Sequence, residues 1–321
     1  MKLGVMTVLL GQRKAEEAFK YLSSLKVQTV EIGTGGFPGK AHLDPEEFLK
    51  NSAEPAAYKE LLKKYNLEIS ALSTHANHVH PQKEISDKAH SDFINTCKVA
   101  EKLNVDTVVT FSGCPGDHPG AMYSNWVTCS WPNDFQNILK YQWDDVLIPY
   151  WQAAVKEAAN YGVTKIALEM HPGFCVYNPY SLLKLREAVG DAIGANFDPS
   201  HLFWQGIKPS QAIKALKGAI FHFHAKDTKL DMANIHVNGV LDTSHYSSVM
   251  DRSWVFRTVG YGHDYVEWKD IISTLAASGY EGAISIEHED SLMSVSEGLE
   301  KAIAFLQQLI IFEKPGAMWW A

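Results

Sequence analysis

Phe221-His222-Phe223-His224-Ala225-Lys226-Asp227 is a strand-length alternation of apolar and ionisable residues that ends in charge. Three more stretches close in the same way: Ala167-Leu168-Glu169-Met170-His171, Asn196-Phe197-Asp198-Pro199-Ser200-His201 and Ile284-Ser285-Ile286-Glu287-His288-Glu289-Asp290. Charged side chains are expensive to place beside strand cores, so four such endings imply a common ligand at the strand tips. Carboxylates and imidazoles in that company are the donors of a divalent metal.

Outward from these four, apolar runs of strand length alternate with helix-length amphipathic segments along the whole chain, the pattern of a parallel sheet. Strands are expected at Leu3–Leu10, Thr29–Gly33, Glu68–His75, Thr107–Ser112, Lys165–His171, Ile193–Asp198, Ala219–Asp227 and Ala283–Glu289. Helical spacing falls between them at Glu16–Leu25, Pro45–Tyr65, Asp87–Leu103, Trp143–Tyr161, Pro179–Val189, Pro209–Leu216, Tyr265–Ser278 and Val295–Phe312. Strand and helix in strict alternation, without repeat or linker, predict an α/β chain folded as one closed (β/α)8 barrel domain over residues 1–321. A dinucleotide-binding sheet lacks its glycine-rich turn after the first strand. The long connections at 113–142 and 228–264 both follow a strand, which puts them over the C-terminal mouth where barrel active sites are built. Trp126, Trp131, Tyr246, Trp254 and Tyr261 within them suit either a sugar-binding or partner-binding lid or a packed cap.

Residues two apart share a strand face, and the apolar face of a barrel strand must meet the helices. Ile166, Leu168 and Met170 therefore face out, leaving Ala167, Glu169 and His171 inward. Phe221, Phe223 and Ala225 face the helices while His222, His224 and Lys226 face the axis. Ser285, Glu287 and Glu289 point inward from the last strand, and Asn196, Asp198 and Ser200 from the sixth. Glu169, Asp198, His224 and Glu287 thus converge from consecutive strands as three oxygen donors and one nitrogen. That hard set suits Mn²⁺, Mg²⁺ or Co²⁺, with Zn²⁺ still open.

Composition narrows the function classes. The 321 residues are 46% hydrophobic with a formal charge of −8, and no basic run offers a phosphate-backbone footprint, so no nucleic-acid partner is expected. The N-terminal apolar run is too short to cross a bilayer and lacks a cleavage site, so no membrane partner is expected either. Cys97, Cys114, Cys129 and Cys175 show no metal or redox spacing and read as reduced thiols of a cytoplasmic protein.

The stretches Ala167–Gly173, Asn196–Leu202, His222–Asp227, Arg257–His263 and Gly279–Asp290 resemble the xylose-isomerase-like TIM-barrel family of sugar isomerases and epimerases. Its ketose 3-epimerase branch carries a Glu, Asp, His, Glu quartet that binds Mn²⁺ or a similar ion. The resemblance implies that Glu169 and Glu287 serve as acid and base as well as ligands, and that Asp198 and His224 are ligands only. It further implies that His201 contacts substrate and metal water and that Arg257 binds substrate; His171, Lys226 and His263 complete the substrate-binding candidates. The Val259-Gly260-Tyr261-Gly262-His263 run departs from the usual Gly-x-Gly turn by an extra histidine.

Such a site abstracts a proton beside a sugar carbonyl to give an enediolate. The substrate implied is a small sugar, without a phosphate because no glycine-rich helix-opening loop follows the late strands. The Phe111-Ser112-Gly113-Cys114-Pro115-Gly116 loop and the Trp126–Trp131 segment also resemble catalytic α subunits of bacterial C-glycoside deglycosidases, which cleave the C–C bond of an oxidised glycoside, a 3-keto C-glucoside, and work with a small β-rich partner subunit. The tail Phe312–Ala321 would dock that subunit, dock a second copy in a homo-oligomer, or fold back on its own barrel. An abasic-site endonuclease shares the barrel, but needs a three-zinc cluster, for which His75, His78 and His80 are the spare histidines, and a basic groove. A non-catalytic sugar-binding barrel would have no need of the full quartet.

Overall fold

The computed structural model describes residues 1–314 and 316–320; Pro315 and Ala321 of the tail lie outside them. The strands are β1 (Lys2–Met6), β2 (Thr29–Gly33), β3 (Glu68–Ser73), β4 (Thr107–Phe111), β5 (Lys165–Glu169), β6 (Ile193–Phe197), β7 (Ile220–Ala225), β8 (Asp227–Leu230), β9 (Trp254–Arg257) and β10 (Ala283–Ile286). β1 to β7 and β10 are parallel and close into an eight-stranded barrel, β10 sealing it by pairing with β7 on one side and β1 on the other. The predicted (β/α)8 architecture is the one observed. β8 and β9 form a separate antiparallel hairpin, so the long connection after β7 is partly ordered as strand.

The helices are α1 (Ala15–Ser24), α2 (Pro45–Lys50), α3 (Glu54–Lys64), α4 (Lys83–Leu103), α5 (Asp134–Lys140), α6 (Ile148–Ala159), α7 (Pro179–Val189), α8 (Pro199–Phe203), α9 (Pro209–Ala215), α10 (Met232–Asn238), α11 (Tyr265–Ala277) and α12 (Val295–Gln307). Outward strand residues such as Ile166, Leu168, Phe197, Phe223 and Ile284 pack with inward helix residues such as Phe19, Trp151, Leu182 and Trp268 in one apolar layer between sheet and helices. Burying it supplies most of the folding free energy, at roughly 25 cal/mol per Å² of apolar surface.

Three expectations about the elements are corrected. The helix expected over Pro45–Tyr65 divides into α2 and α3: Asn51 Oδ1 accepts from the Ala53 N–H at 3.1 Å, and Pro55, which has no N–H to give, sits in the first turn of the second helix. The helix expected at 143–161 begins at Asp134 and passes through a π-wound stretch, Tyr141–Leu147, in which Ile148 N–H reaches Trp143 O immediately before Pro149. Finally, Phe221 does not face the helices. A register shift pairs Ala195 with Ile220 and then Asn196 with His222, and Phe221 packs against Ala71, Val109 and Ala167.

Candidate metal centre and active site

Each donor stands at the end of a strand. Glu169 is the last residue of β5, Glu287 follows β10 directly, and His224 lies near the end of β7. Asp198 caps α8, its Oδ1 accepting from Ser200 N–H at 2.8 Å, with Pro199 in the first turn. That bond fixes the carboxylate and leaves Oδ2 toward the axis. The four residues present ligand atoms within 4.8 Å of one another.

These donors fit a cation on a direct observation. Asp198 Oδ2, His224 Nδ1 and Glu287 Oε2 are buried and have no hydrogen-bond partner. His224 Nδ1 lies 3.2 Å from Glu169 Oε2 and 3.1 Å from Glu287 Oε2, with neither oxygen in line for a hydrogen bond. Buried polar atoms are normally satisfied, and three of a single ligand set without an aligned hydrogen bond fit a cation held among them.

Around the quartet lies a second ring of contacts. Glu169 accepts from His75 Nε2 at 3.0 Å, from Asn196 Nδ2 at 3.1 Å and from His201 Nε2 at 3.0 Å. His224 Nε2 donates to Glu31 Oε2 at 2.8 Å, and Ser285 Oγ donates to the same oxygen at 3.0 Å. Lys226, only 2% exposed, places its ammonium 3.2 Å from Asp198 Oδ2, 2.9 Å from Glu287 Oε2 and 3.0 Å from Glu289 Oε2, over the ring of Phe256. Sequence reasoning passed over Glu31 and gave His75 no place beside Glu169. The available signal for Glu31 was an acid sharing a strand face with Thr29 and Gly33, opposite apolar Val30 and Ile32.

Burial disfavours charge at every one of these groups, and neighbours decide which remain ionised. At Glu31 burial pushes the carboxyl up, but His224 and His222 bring it down to about 2. Glu169 is likewise held well below the usual carboxylate range by His201, His224 and His75, and Glu287 is held below it by Lys226 and His224. Burial alone would discharge Lys226 and His224; Asp198 and Glu287 keep the lysine, and Glu31 and Glu287 the imidazole, well above their ordinary values. Asp198 goes the other way, burial raising it. Burial also holds His171 down at about 3, aided by His201, and His222 down at about 4.

Two cavities open on this cluster. One of about 410 Å³ is lined by Glu169, Glu287, Lys226, Glu289 and His75 on one side and by Phe37, Phe111 and Phe174 on another. The second, of about 380 Å³, is walled by Trp126, Trp204, Trp254, Tyr246 and Phe256, with His201 between them. His171 lines both. Trp204 and Trp254 stack at 4.7 Å and Tyr246 stacks on Phe256 at 5.9 Å. The Trp126 region of the first long loop and the β8–β9 hairpin of the second thus meet over the barrel mouth.

Two expected substrate-binding residues sit elsewhere. His263 donates from Nδ1 to Asp227 Oδ1 at 2.8 Å and stacks on Phe203 at 3.7 Å. Arg257 Nε donates to Asp290 Oδ2 at 3.0 Å and its guanidinium lies over Tyr261. Neither lines the two cavities. The departure in the Val259–His263 run has a structural cause: Asp227 accepts from the N–H groups of Gly260, Gly262 and His263, from Trp268 Nε1 and from His263 Nδ1. Among the described residues of the tail, Lys314 pairs with Glu281 at 3.1 Å, whereas Trp319 and Trp320 are 88% and 69% exposed.

Residues 19–309 match the family model described as xylose isomerase-like TIM barrel. The chain is 38% identical over 313 residues to "Uncharacterized protein YfiH" of Bacillus subtilis (strain 168), covering 97% of this chain and 99% of that protein. Among solved structures it resembles 3-keto-D-glucoside 4-epimerase, YcjR, from E. coli, with TM-score 0.64 at 12% identity over 96% of this chain and 99% of that one. It also resembles the IolI protein with a bound zinc atom, with TM-score 0.64 at 19% identity over 96% of both chains. No helix among the described residues is long and apolar enough to cross a membrane.

Proposed function

We propose that this chain, which belongs to the xylose isomerase-like TIM-barrel family, is a metal-dependent sugar isomerase or epimerase in which Glu169 and Glu287 exchange a proton with a carbon beside a carbonyl. The convergence of Glu169, Asp198, His224 and Glu287 with three unsatisfied donor atoms carries this reading. A divalent cation held by these four residues would supply positive charge for the oxyanion that develops on the sugar carbonyl oxygen. The donor chemistry favours Mn²⁺, followed by Mg²⁺, Co²⁺ and Zn²⁺.

The residues account for the rest of the reaction. Glu169 and Glu287 both line the 410 Å³ cavity and are held anionic, so either can take the carbon-bound proton. The C–H electron pair moves into a new C=C bond and the carbonyl electrons onto oxygen. Lys226, in the same cavity, can hold that oxygen or a neighbouring hydroxyl by charge. Reprotonation then closes the cycle, with His75 and His201, each 3.0 Å from Glu169, able to pass a proton through it. Delivery to the opposite face gives an epimer; delivery to the neighbouring carbon gives an isomer. Phe37, Phe111 and Phe174 provide an apolar platform that keeps water from the developing charge. Four free thiols, three of them buried, suit a cytoplasmic protein.

One observation favours a second reading. The aromatic chamber adjoining the carboxylate cavity at His171 is surplus for a free monosaccharide and matches the planar aglycone of a glycoside. Proton loss beside a 3-ketone would then expel that aglycone from the anomeric carbon, the reaction of a C-glycoside deglycosidase, and the exposed Trp319 and Trp320 would be available to a small partner subunit or a second copy.

The test is NMR of the Mn²⁺-supplemented protein in D₂O with fructose, tagatose and a 3-keto C-glucoside. Deuterium on an intact sugar supports isomerase or epimerase chemistry, and release of free aglycone supports the second reading. Glu287→Gln should abolish either turnover, a loss of at least ~10²-fold; near-normal activity in that variant would sink the assignment.

A further inference from the structure

We infer that Glu31, on β2 across the barrel from β6, is a positioning residue that orients His224 as a metal ligand; the inference rests on the metal-dependent reading above. Glu31 is fully buried, and its Oε2 accepts from His224 Nε2 at 2.8 Å. With that nitrogen committed as a donor, the proton the ring would give up on meeting a cation is the one on Nδ1, the atom that faces Glu169 and Glu287. Glu31 therefore selects the tautomer and sets the ring plane. Ser285 Oγ, at 3.0 Å, fixes the same carboxylate oxygen from β10. Histidines that bind metals regularly give their second N–H to a carboxylate, and loss of that partner weakens metal binding by about 10–100-fold.

Glu31, His222 and His224 also lie close enough together to be a second ion site. The contacts of His222 argue against one. Its Nδ1 is 3.1 Å from Asn196 Oδ1 and its Nε2 is 3.2 Å from Ser70 Oγ, so both ring nitrogens are already engaged. His224 would moreover have to bind two ions at once through opposite edges. Glu31 acts instead through His224, and Asn196, which donates to Glu169 Oε2 at 3.1 Å, ties the same floor to the other side of the quartet.

The experiment is Mn²⁺ binding to chelator-treated protein, read from the free-ion EPR signal and by isothermal titration, for the unmutated chain, Glu31→Gln and Ser285→Ala. Long-range ¹H–¹⁵N spectra of the histidine rings are recorded on the metal-free forms. The expected result is one ion per unmutated chain, about 10–100-fold weaker binding in Glu31→Gln and a smaller loss in Ser285→Ala, with the His224 ring signature changed in the glutamine variant. Should Glu31→Gln not fold, the serine variant with unaltered thermal stability still decides by its affinity. One ion bound equally well by all three chains would overturn the role of Glu31 and leave the metal site standing. Two ions per unmutated chain with one lost in Glu31→Gln would make Glu31 a ligand and overturn the positioning role. No ion bound by the unmutated chain would overturn the metal reading itself, and this inference with it.

Discussion

Lys226→Met removes a charge and little else. Methionine retains the length of the lysine stem over the Phe256 ring while the ammonium, 2% exposed and within 3.2 Å of Asp198, Glu287 and Glu289, disappears. Removing one partner of a buried ion pair costs about 3–5 kcal/mol because the remaining charge stays buried. Unfolding entropy of about 2.1 cal/mol/K per residue, over the 321 residues, is about 0.7 kcal/mol/K, so the metal-free variant should melt about 4–7 °C below the unmutated protein. Mn²⁺ should then narrow the gap. A cation gives Asp198 and Glu287 the counter-charge they have lost, and in the variant no ammonium competes for the same oxygens. Excess ion at about 100 times its dissociation constant stabilises by about 2.7 kcal/mol, and the variant should gain at least as many degrees from it as the unmutated chain. The assay is a pair of thermal melts, with chelator and with Mn²⁺. A metal-free variant that melts within about 1 °C of the unmutated protein, far short of the expected shift, would refute the claim that Lys226 neutralises the quartet.

Two further outcomes follow from residues outside the donor set. Asp227→Ala withdraws the acceptor shared by Gly260, Gly262, His263 and Trp268, so the Gly260, Gly262 and His263 amides should lose at least about tenfold of their hydrogen-exchange protection, a change of about 1.4 kcal/mol in local opening; undiminished protection would show that the loop is held by something else. His78, buried against Phe93, Tyr150 and Trp151, is pushed down by burial to about 3, whereas the unfolded chain takes up its proton near pH 6.5. Its contribution is thus fully present above about pH 6.5 and lost as pH falls toward 3, by about 1.4 kcal/mol per unit; urea midpoints at pH 7.5 and 5.5 should separate more in the unmutated protein than in His78→Gln, and equal separations would count against it.

Much of the barrel was legible because outward and inward positions impose opposite chemistry on alternate residues. Ile166, Leu168, Phe223 and Ile284 had to meet helices, and Glu169, His224 and Glu287 were left with the axis. What could not be read has local causes. Alternation carries no mark of a bulge, so Phe221 was assigned to the wrong face. Glu31 sits in a strand buried along its whole length, where one acid among apolar neighbours states its burial but not its partner. Arg257 was a candidate by resemblance and His263 as the extra histidine of the 259–263 run; Asp290 and Asp227, brought to them by the folding of distant segments, engage them instead. The split between α2 and α3 was visible in Asn51 and Pro55, but the apolar spacing ran through both.

The placement of the unsatisfied atoms distinguishes a site that binds a cation from one that is merely a polar core. A barrel that only needed to bury these side chains could have paired each one, as His222 is paired on both nitrogens with Asn196 and Ser70. Among the donors at the mouth, Glu169 is satisfied three times over, whereas Asp198 Oδ2, His224 Nδ1 and Glu287 Oε2 have close charged neighbours but no aligned hydrogen bond. Leaving a buried polar atom unbonded costs about 1–3 kcal/mol, a cost that an ion held within this 4.8 Å cluster would offset. Lys226 repays part by charge alone, from the cavity side. Its ammonium and both glutamates line the same cavity, so an ion held by the quartet would share Asp198 and Glu287 with the lysine.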